Sequence, residues 1–187
     1  MGNEYFNDGA RDHKDVLELL YVGRLAMQKR VERLIAMLPL MTTPSHLTIV
    51  GDGDERALLE QKVNELHITN VTFAGKKIGE ALIEYYRSAD VFVIASDVEG
   101  MPLVVLEAMA ESLPVVATNV LGLRELVKDT GILIDTPYEE GFAKEIDRLG
   151  SDTELRAALG RKSFGKAAQF TWKNAVDHMI TLYQYHD

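Results

Sequence analysis

The sequence predicts an α/β domain in which helices flank both faces of a parallel six-stranded sheet. Short, continuously apolar runs alternate with longer segments of helical period, as expected when each strand is followed by a helix that packs back on the sheet. A length of 187 residues suits one domain with a full core. The 47% hydrophobic and 26% charged residues are ordinary for a globular protein.

Six apolar runs mark the expected strands. Strands covered by helices on both faces are apolar throughout, without polar alternation. The runs are Val16 to Val22, Leu47 to Val50, Val71 to Phe73, Val91 to Ile94, Val115 to Ala117 and Ile132 to Ile134.

Apolar residues at helical spacing mark the connections between the strands. Val31, Leu34, Ile35 and Leu38 recur at i, i+3, i+4 and i+7, as in a helix that buries one face. The same pattern is found in the segments that end at Leu66, Tyr86 and Met109. After the sixth strand only helical spacing is found, over residues 138–149, 152–168 and 172–185.

Residues 1–15 are polar and aperiodic, and we interpret them as a linker, a cloning remnant or a frayed end, which leaves residues 16–187 as one domain.

Charge and composition exclude several classes of protein. A net charge of -9 argues against general nucleic-acid binding, which depends on a basic surface. No apolar run approaches the roughly 18 residues of a transmembrane helix, and the N-terminus lacks the apolar core of a signal peptide. Zero cysteines exclude a disulfide framework and Cys-ligated zinc. These features favour a cytoplasmic protein.

The predicted sheet is Rossmann-like, and in such sheets ligands bind outside the carboxyl ends of the strands. The first loop there, residues 23–30, contains Gly23, interpreted as a turn or close-approach residue, and two adjacent cations, Lys29 and Arg30. Cations at the start of a helix conflict with its dipole unless an anion binds there or both point into solvent. Both interpretations remain open on this loop alone.

Asp52-Gly53-Asp54 follows the second strand. The Asp-x-Asp pattern is one by which some glycosyltransferases hold a divalent metal, whereas a calcium loop is excluded because apolar residues occupy the later ligand positions. A simpler interpretation is that the glycines form a turn and that Asp52 or Asp54 caps the helix beginning near Glu55.

The fourth strand leads through Glu99 into a second helix start. Pro102 suits the first helical position, which makes Met101 a cap residue that cannot accept a hydrogen bond, so the free N–H groups favour phosphate. Glu107 lies in an apolar stretch where a carboxylate needs a partner. That partner could be a pair of ligand hydroxyls or a buried arginine, or Glu107 could face solvent.

The ordered segments YVGRL, IVGDGDE, FAG, SADVFVIAS, EGMPLVVLEAMA, PVVAT and GILI resemble the C-terminal, nucleotide-sugar-binding domain of the retaining group 1 (family 4 type) glycosyltransferases. These include bacterial mannosyltransferases and relatives of sucrose and glycogen synthases, and the resemblance runs from about Leu17 to Tyr185. Its most specific element is the Glu-x7-Glu spacing of Glu99 and Glu107. The resemblance implies the two-domain GT-B architecture, of which this chain is the C-terminal half.

The resemblance also implies roles. Glu99 would contact the donor sugar near the reacting carbon, Arg24 and Lys29 would neutralise the diphosphate, and Glu107 would accept hydrogen bonds from the ribose. The backbone from Gly100 through Met101 and Pro102 to Leu103 would face sugar and phosphates, while Gly75 and Lys76 would hold the base. The implied catalytic set is Glu99, Arg24 and Lys29. The implied donor-binding set is Gly23, Arg24, Lys29, Gly75, Lys76, Glu99, Gly100, Met101, Pro102, Leu103 and Glu107. No metal or other cofactor is then required.

Two residues depart from the family pattern. Arg30 stands where glycine is usual, and Leu121 replaces the first of two glycines commonly found in the loop before Glu125. The family's N-terminal domain, which supplies the acceptor site, a catalytic-centre histidine and usually any membrane association, is expected to be absent. The five histidines here fall in none of the loops above and are interpreted as surface residues.

Two other functions fit the same pattern. One is a non-catalytic nucleotide-binding module that keeps the fold alone. The other is a non-hydrolysing nucleotide-sugar epimerase of similar architecture, which would not require the Glu-x7-Glu segment.

Overall fold

A computed structural model describes residues 15–171 of the chain. The polar N-terminal segment and the helix expected over residues 172–185 lie outside this range, as do His13, His178 and His186. Everything below concerns the described residues.

The six expected strands are present and form one parallel sheet. Its order is β3-β2-β1-β4-β5-β6, and every neighbouring pair is parallel. The strands are Leu17–Val22 (β1), Ser45–Val50 (β2), Val71–Gly75 (β3), Val91–Ile94 (β4), Val115–Thr118 (β5) and Ile132–Ile134 (β6). The α/β, Rossmann-like prediction is confirmed.

Strand β2 begins two residues before the predicted start because its backbone pairs with β1 before its apolar run begins. Ser45 and His46 pair with Leu17 and Glu18. The His46 ring bridges Glu18 at 3.2 Å and Thr72 at 3.0 Å, so this half-buried histidine links three strands. The His46 side chain is still 30% exposed, and His67 is exposed, so both agree with the surface interpretation.

Seven α-helices connect and cover the strands within residues 15–171. They are Val31–Met37 (α1), Arg56–Glu65 (α2), Glu80–Ser88 (α3), Leu103–Ala110 (α4), Leu121–Val127 (α5), Tyr138–Ser151 (α6) and Thr153–Ala167 (α7). Short 3-10 turns add Met27–Lys29, Leu38–Leu40 and Ala168–Phe170. All residues of β4 and β5 are buried, so the middle of the sheet forms the core, and β1, β2 and α1 add a second large group of buried side chains.

The strand order reverses direction between β1 and β4, which are neighbours although two strands separate them in sequence. Loops leaving two strands at such a point diverge to opposite faces of the sheet and leave a crevice at its carboxyl edge. Two loops border this crevice: the β1 loop, residues 23–30, and the β4 loop, residues 95–102.

Candidate functional site

Backbone hydrogen bonds hold the β1 loop against the loop that follows β2. The amide of Gly23 donates to Val50 at 3.0 Å, and that of Leu25 donates to Asp52 at 3.0 Å. A Cβ atom at Gly51 would lie 1.8 Å from the carbonyl oxygen of Gly23, so only glycine allows this approach. The start of the β1 loop is therefore fixed by the sheet.

Lys29 forms the central contact of the crevice. It ends the 3-10 turn Met27–Lys29, and its Nζ lies 2.6 Å from Oε1 of Glu99 in the β4 loop. The same oxygen accepts a hydrogen bond from Oγ of Ser96 at 2.7 Å. The Glu99 side chain is only 8% exposed and that of Lys29 23%, so the pair is largely shielded from water. Lys29 is thus aimed at the crevice, not at bulk solvent.

Arg30 points elsewhere. Its Nε lies 2.5 Å from Oδ2 of Asp97, while Nη1 of Arg33 lies 2.8 Å from Oδ1 of the same carboxylate. Partial burial opposes ionisation of Asp97, but the hydrogen bonds from Arg30 and Arg33 outweigh it and lower the pKa of this carboxyl below its usual value. The two adjacent cations of the β1 loop therefore contact different carboxylates.

The backbone of Arg30 explains why glycine is usual at this position. Arg30 has φ 51° and ψ 39°, in the left-handed region that costs a non-glycine residue about 1 kcal/mol. The bond to Asp97 offsets part of this cost. Arg30 in place of the usual glycine therefore changes the side chain at this position but keeps the left-handed turn.

Arg24 is the exposed cation of the β1 loop. Its guanidinium makes no ion pair with any residue between 15 and 171, and the backbone carbonyl of Arg24 accepts a hydrogen bond from the Tyr21 hydroxyl at 3.2 Å. Burial, together with the charge of Glu99, raises the pKa of Tyr21 and keeps its hydroxyl protonated. Arg24 is thus fixed at its backbone and available at its side chain.

Glu107 lies on α4 and is half-buried. Its Oε2 accepts a hydrogen bond from the Tyr86 hydroxyl at 2.8 Å, and no arginine of the described range contacts it. Burial raises the pKa of this carboxyl more than the Tyr86 hydrogen bond lowers it. Of the alternatives left open by the sequence, the buried-arginine one is wrong within residues 15–171.

The start of α4 differs by one residue from the prediction. Pro102 has φ -76° and ψ 95°, which is extended, so it is the cap residue and Leu103 is the first helical residue. Met101 was therefore wrongly assigned as the cap, although the conclusion drawn from it stands, because no side chain caps this helix. The side chains of Met101 and Leu103 are exposed beside the crevice.

The Asp-x-Asp segment caps no helix. Asp52 accepts a hydrogen bond from the amide of Gly53 at 2.8 Å and pairs with Arg56 at 3.4 Å. The cap of α2 is Glu55, which makes no side-chain capping bond, so the capping interpretation was wrong. Among residues 15–171 no three His, Asp or Glu side chains cluster closely enough to hold a metal ion.

The remaining predicted residues lie at the same edge. Gly75 ends β3 with φ +69° and accepts a hydrogen bond from Gly51, while Lys76 is exposed. Leu121 and Gly122 do not form a loop: they open α5, and Leu121 is exposed. A Cβ atom at Gly122 would lie 2.2 Å from the carbonyl oxygen of Gly100, so the retained glycine allows α5 to pack on the β4 loop.

Sequence reasoning missed three residues of the site: Ser96, Asp97 and Tyr86. Each binds a charged residue that the sequence had singled out, and each partner is close only in the fold. Ser96 and Asp97 carried a signal, as polar residues two and three positions after the end of the buried strand β4, whereas Tyr86 carried none.

Within the described part of the chain, no helix has the length and apolarity needed to cross a membrane. Comparison with known proteins agrees with the fold. The sequence profile of the family described as "Glycosyl transferases group 1" matches residues 4–166.

Two of the relatives are about one-third identical to this chain over the segments that align. The amylovoran biosynthesis glycosyltransferase AmsD of Erwinia amylovora is 34% identical over 165 residues, which cover 86% of this chain and 44% of AmsD. The structure of sucrose-phosphate synthase from Thermosynechococcus elongatus is 33% identical, with a TM-score of 0.82 over 90% of this chain and 45% of the synthase.

The Anabaena protein HepE, solved in complex with UDP and glucose, matches in fold, with 23% identity and a TM-score of 0.80 over 94% of this chain and 49% of HepE. The chain thus spans less than half the length of these relatives. Because the family profile matches most of its length, the chain belongs to the group 1 glycosyltransferase family.

Proposed function

We propose that this chain is the donor-binding domain of a retaining glycosyltransferase, which transfers a hexose from a nucleotide diphosphate sugar to a glycan or glycolipid acceptor. The observation that carries the proposal is the Lys29–Glu99 pair at the switch point of the sheet, on the loop that leads into the uncapped helix α4. The cation and the uncapped helix N-terminus match the negative charge of a diphosphate, and the shielded carboxylate can accept hydrogen bonds from the hydroxyls of a sugar.

The diphosphate is proposed to bind between the β1 loop and α4. As the bond between sugar and phosphate breaks, negative charge grows on the leaving diphosphate, and fixed positive groups that await it lower the barrier. Arg24, Lys29 and the first N–H groups of α4 are those groups. Lys29 would exchange its bond to Glu99 for one to phosphate, which frees Glu99 to contact the sugar near its reacting carbon.

The ribose is proposed to bind Glu107. The Tyr86 hydroxyl holds Oε2, and Oε1 accepts no hydrogen bond from residues 15–171. A half-buried carboxylate with one oxygen held in place is suited to accept hydrogen bonds from hydroxyls, because each such bond offsets part of the cost of burying its charge. Gly75 and Lys76 lie where β3 ends, at the same edge of the sheet, where the base would extend.

The acceptor is proposed to bind outside this chain. The relatives are more than twice as long as the segment they share with it, so the residues that hold the acceptor would come from an N-terminal domain. The named role of AmsD in amylovoran biosynthesis supports a glycan acceptor by analogy. We place the reaction in the cytoplasm, with the parent enzyme peripheral at the membrane when the acceptor is a glycolipid.

Amide chemical shifts test the proposal. The 15N-labelled chain is titrated with UDP, GDP and ADP, and at least one of them is expected to move the amides of residues 23–29 and 99–107. Shifts at these loops without any transfer when the chain is joined to an acceptor domain would favour a non-catalytic module. The absence of a response at both loops, with all three nucleotides, would contradict the proposal.

A further inference from the structure

The β1 loop and the β4 loop are joined by more than the Lys29–Glu99 pair. Asp97 lies two residues before Glu99, and it contacts both sequence neighbours of Lys29. Its amide donates to the carbonyl oxygen of Gln28 at 2.9 Å, and its carboxylate binds Arg30. The residue that carries the crevice cation is therefore held on either side by one aspartate.

The other oxygen of Asp97 is held by a fixed partner. Arg33 binds it at 2.8 Å, donates to the carbonyl oxygen of Ala95 at 3.0 Å, and stacks 4.2 Å from the ring centre of Tyr138. Arg33 thus connects α1, the end of β4 and α6. The carboxylate of Asp97 is oriented by the core of the domain rather than by a flexible surface group.

Lys29 needs such support because its own segment is short and strained. It ends a single 3-10 turn and precedes a left-handed arginine, and neither feature fixes a long side chain. Misplacing a charged group by about 1 Å can cost roughly a hundredfold in rate, so its position requires an external support.

We propose that Asp97 is a positioning residue that sets the place of Lys29 opposite Glu99 and so tunes affinity for the diphosphate. It does so through the bond from its amide to Gln28 and the bond from its carboxylate to Arg30. We refer to the contacts of Asp97 with Gln28, Arg30 and Arg33 as the Asp97 clamp. The expected effect on diphosphate affinity rests on the proposed function, but the position of Lys29 can be measured without nucleotide.

Two readouts test the clamp. In the first, affinity for UDP and GDP is measured by calorimetry for the wild type, Asp97→Ala, Arg30→Gly and the double variant. Asp97→Ala is expected to weaken binding about tenfold. Glycine accommodates the left-handed turn unaided, so in the Arg30→Gly background the same change is expected to weaken binding by less than about threefold.

The second readout is the Lys29 side chain itself. In a held lysine the two Hε protons have different NMR shifts, and the resonance is assigned by its loss in Lys29→Met. The two shifts are expected to remain separate in the wild type and to merge in Asp97→Ala. Glu32→Ala is the matched control: like Asp97→Ala it removes a carboxylate that contacts Arg30, here at 3.4 Å, but Glu32 lies on α1 and does not join Arg30 to the β4 loop. It is expected to keep the shifts separate and affinity within about twofold.

The outcomes separate the two proposals. If the wild type binds none of UDP, GDP and ADP, the proposed function is contradicted, and the Hε shifts still decide the clamp. The proposal for the Asp97 clamp is contradicted if the Asp97→Ala variant keeps separate Hε shifts. It is also contradicted if the wild type binds a nucleotide and the variant binds it with an affinity within twofold of the wild type. Should Asp97→Ala not fold, the isosteric Asp97→Asn replaces it, with the Hε shifts expected to converge and affinity to fall about threefold.

Discussion

The two edges of the sheet use carboxylates differently. At the amino edge, Asp90 accepts a hydrogen bond from the amide of Glu18 at 2.9 Å, and Asp147 accepts bonds from the amides of Thr42 and Thr43. At the carboxyl edge, Glu99 and Glu107 are bound by side chains. Backbone donors cannot move without unfolding a loop, whereas a lysine or tyrosine can exchange its partner for a ligand.

The helix starts show the same contrast. Helices α1 to α6 begin after a strand, at the carboxyl edge, and none has a side-chain capping bond. Helix α7 begins at the opposite edge, after α6, and Asp152 caps it by accepting a bond from the Leu155 amide at 2.8 Å. In the described chain, the one side-chain cap is at the amino edge, and the uncapped helix starts are at the carboxyl edge, where we propose that the nucleotide binds.

The largest effect is expected from Lys29→Met, which removes the charge and keeps most of the stem. Because the variant cannot form the proposed contact between Lys29 and phosphate, UDP or GDP binding is expected to weaken roughly thirtyfold, measured by calorimetry. Lys128→Met, at the end of α5 away from the crevice, is the matched control and should bind normally. Equal affinities for the two variants would place the diphosphate elsewhere.

Asp147→Ala tests the other edge. It removes four hydrogen bonds that tie α6 to the segment before β2, and a loss of about 2 kcal/mol in the free energy of unfolding is expected by urea denaturation. Nucleotide affinity should not change. A comparable loss of affinity would show that the two edges are not independent.

Acid should remove this difference in stability. Partial burial opposes ionisation of Asp147, but the amides of Thr43 and Thr42 lower the pKa of this carboxyl. A lowered pKa adds stability that is complete above the ordinary value of 3.8 and is lost as the pH falls through the folded-state value. The wild type and Asp147→Ala are therefore expected to converge in stability at low pH.

Asp152→Ala removes the one side-chain cap among the described helices. A loss of about 1 kcal/mol is expected, again without a change in nucleotide affinity. Asp152→Asn, which retains an acceptor, serves as the control and should keep most of the stability.

Glu107→Gln is expected to give the smallest change in stability and an opposite sign. Burial raises the pKa of Glu107, so its ionised form destabilises the fold once the pH exceeds the raised value, and below the ordinary value of 4.5 this penalty is absent. The neutral amide should therefore gain less than about 1 kcal/mol at neutral pH and nothing in acid. The substitution should also weaken nucleotide binding. A variant that is more stable and binds nucleotide with the same affinity as the wild type would show that Glu107 does not bind the ribose.

The sequence predicts the sheet and the correct edge because apolar runs and helical spacing are local signals, and parallel topology places all strand ends together. The sequence does not predict which charged side chains of the site form ion pairs. Lys29 and Glu99 are separated by 70 residues, and Arg30 and Asp97 by 67. The one-residue error at α4 has a local cause, since the φ of proline suits a cap residue as well as the first helical position.

A crystal structure of the chain with whichever of UDP, GDP or ADP binds tests the central claim most directly. We expect the diphosphate to lie between Arg24, Lys29 and the start of α4, with the ribose hydroxyls on Glu107 and the Lys29–Glu99 bond replaced by one from Lys29 to phosphate. A nucleotide bound at the amino edge, or at the carboxyl edge with the Lys29–Glu99 pair intact and no phosphate contact from Lys29, would contradict it.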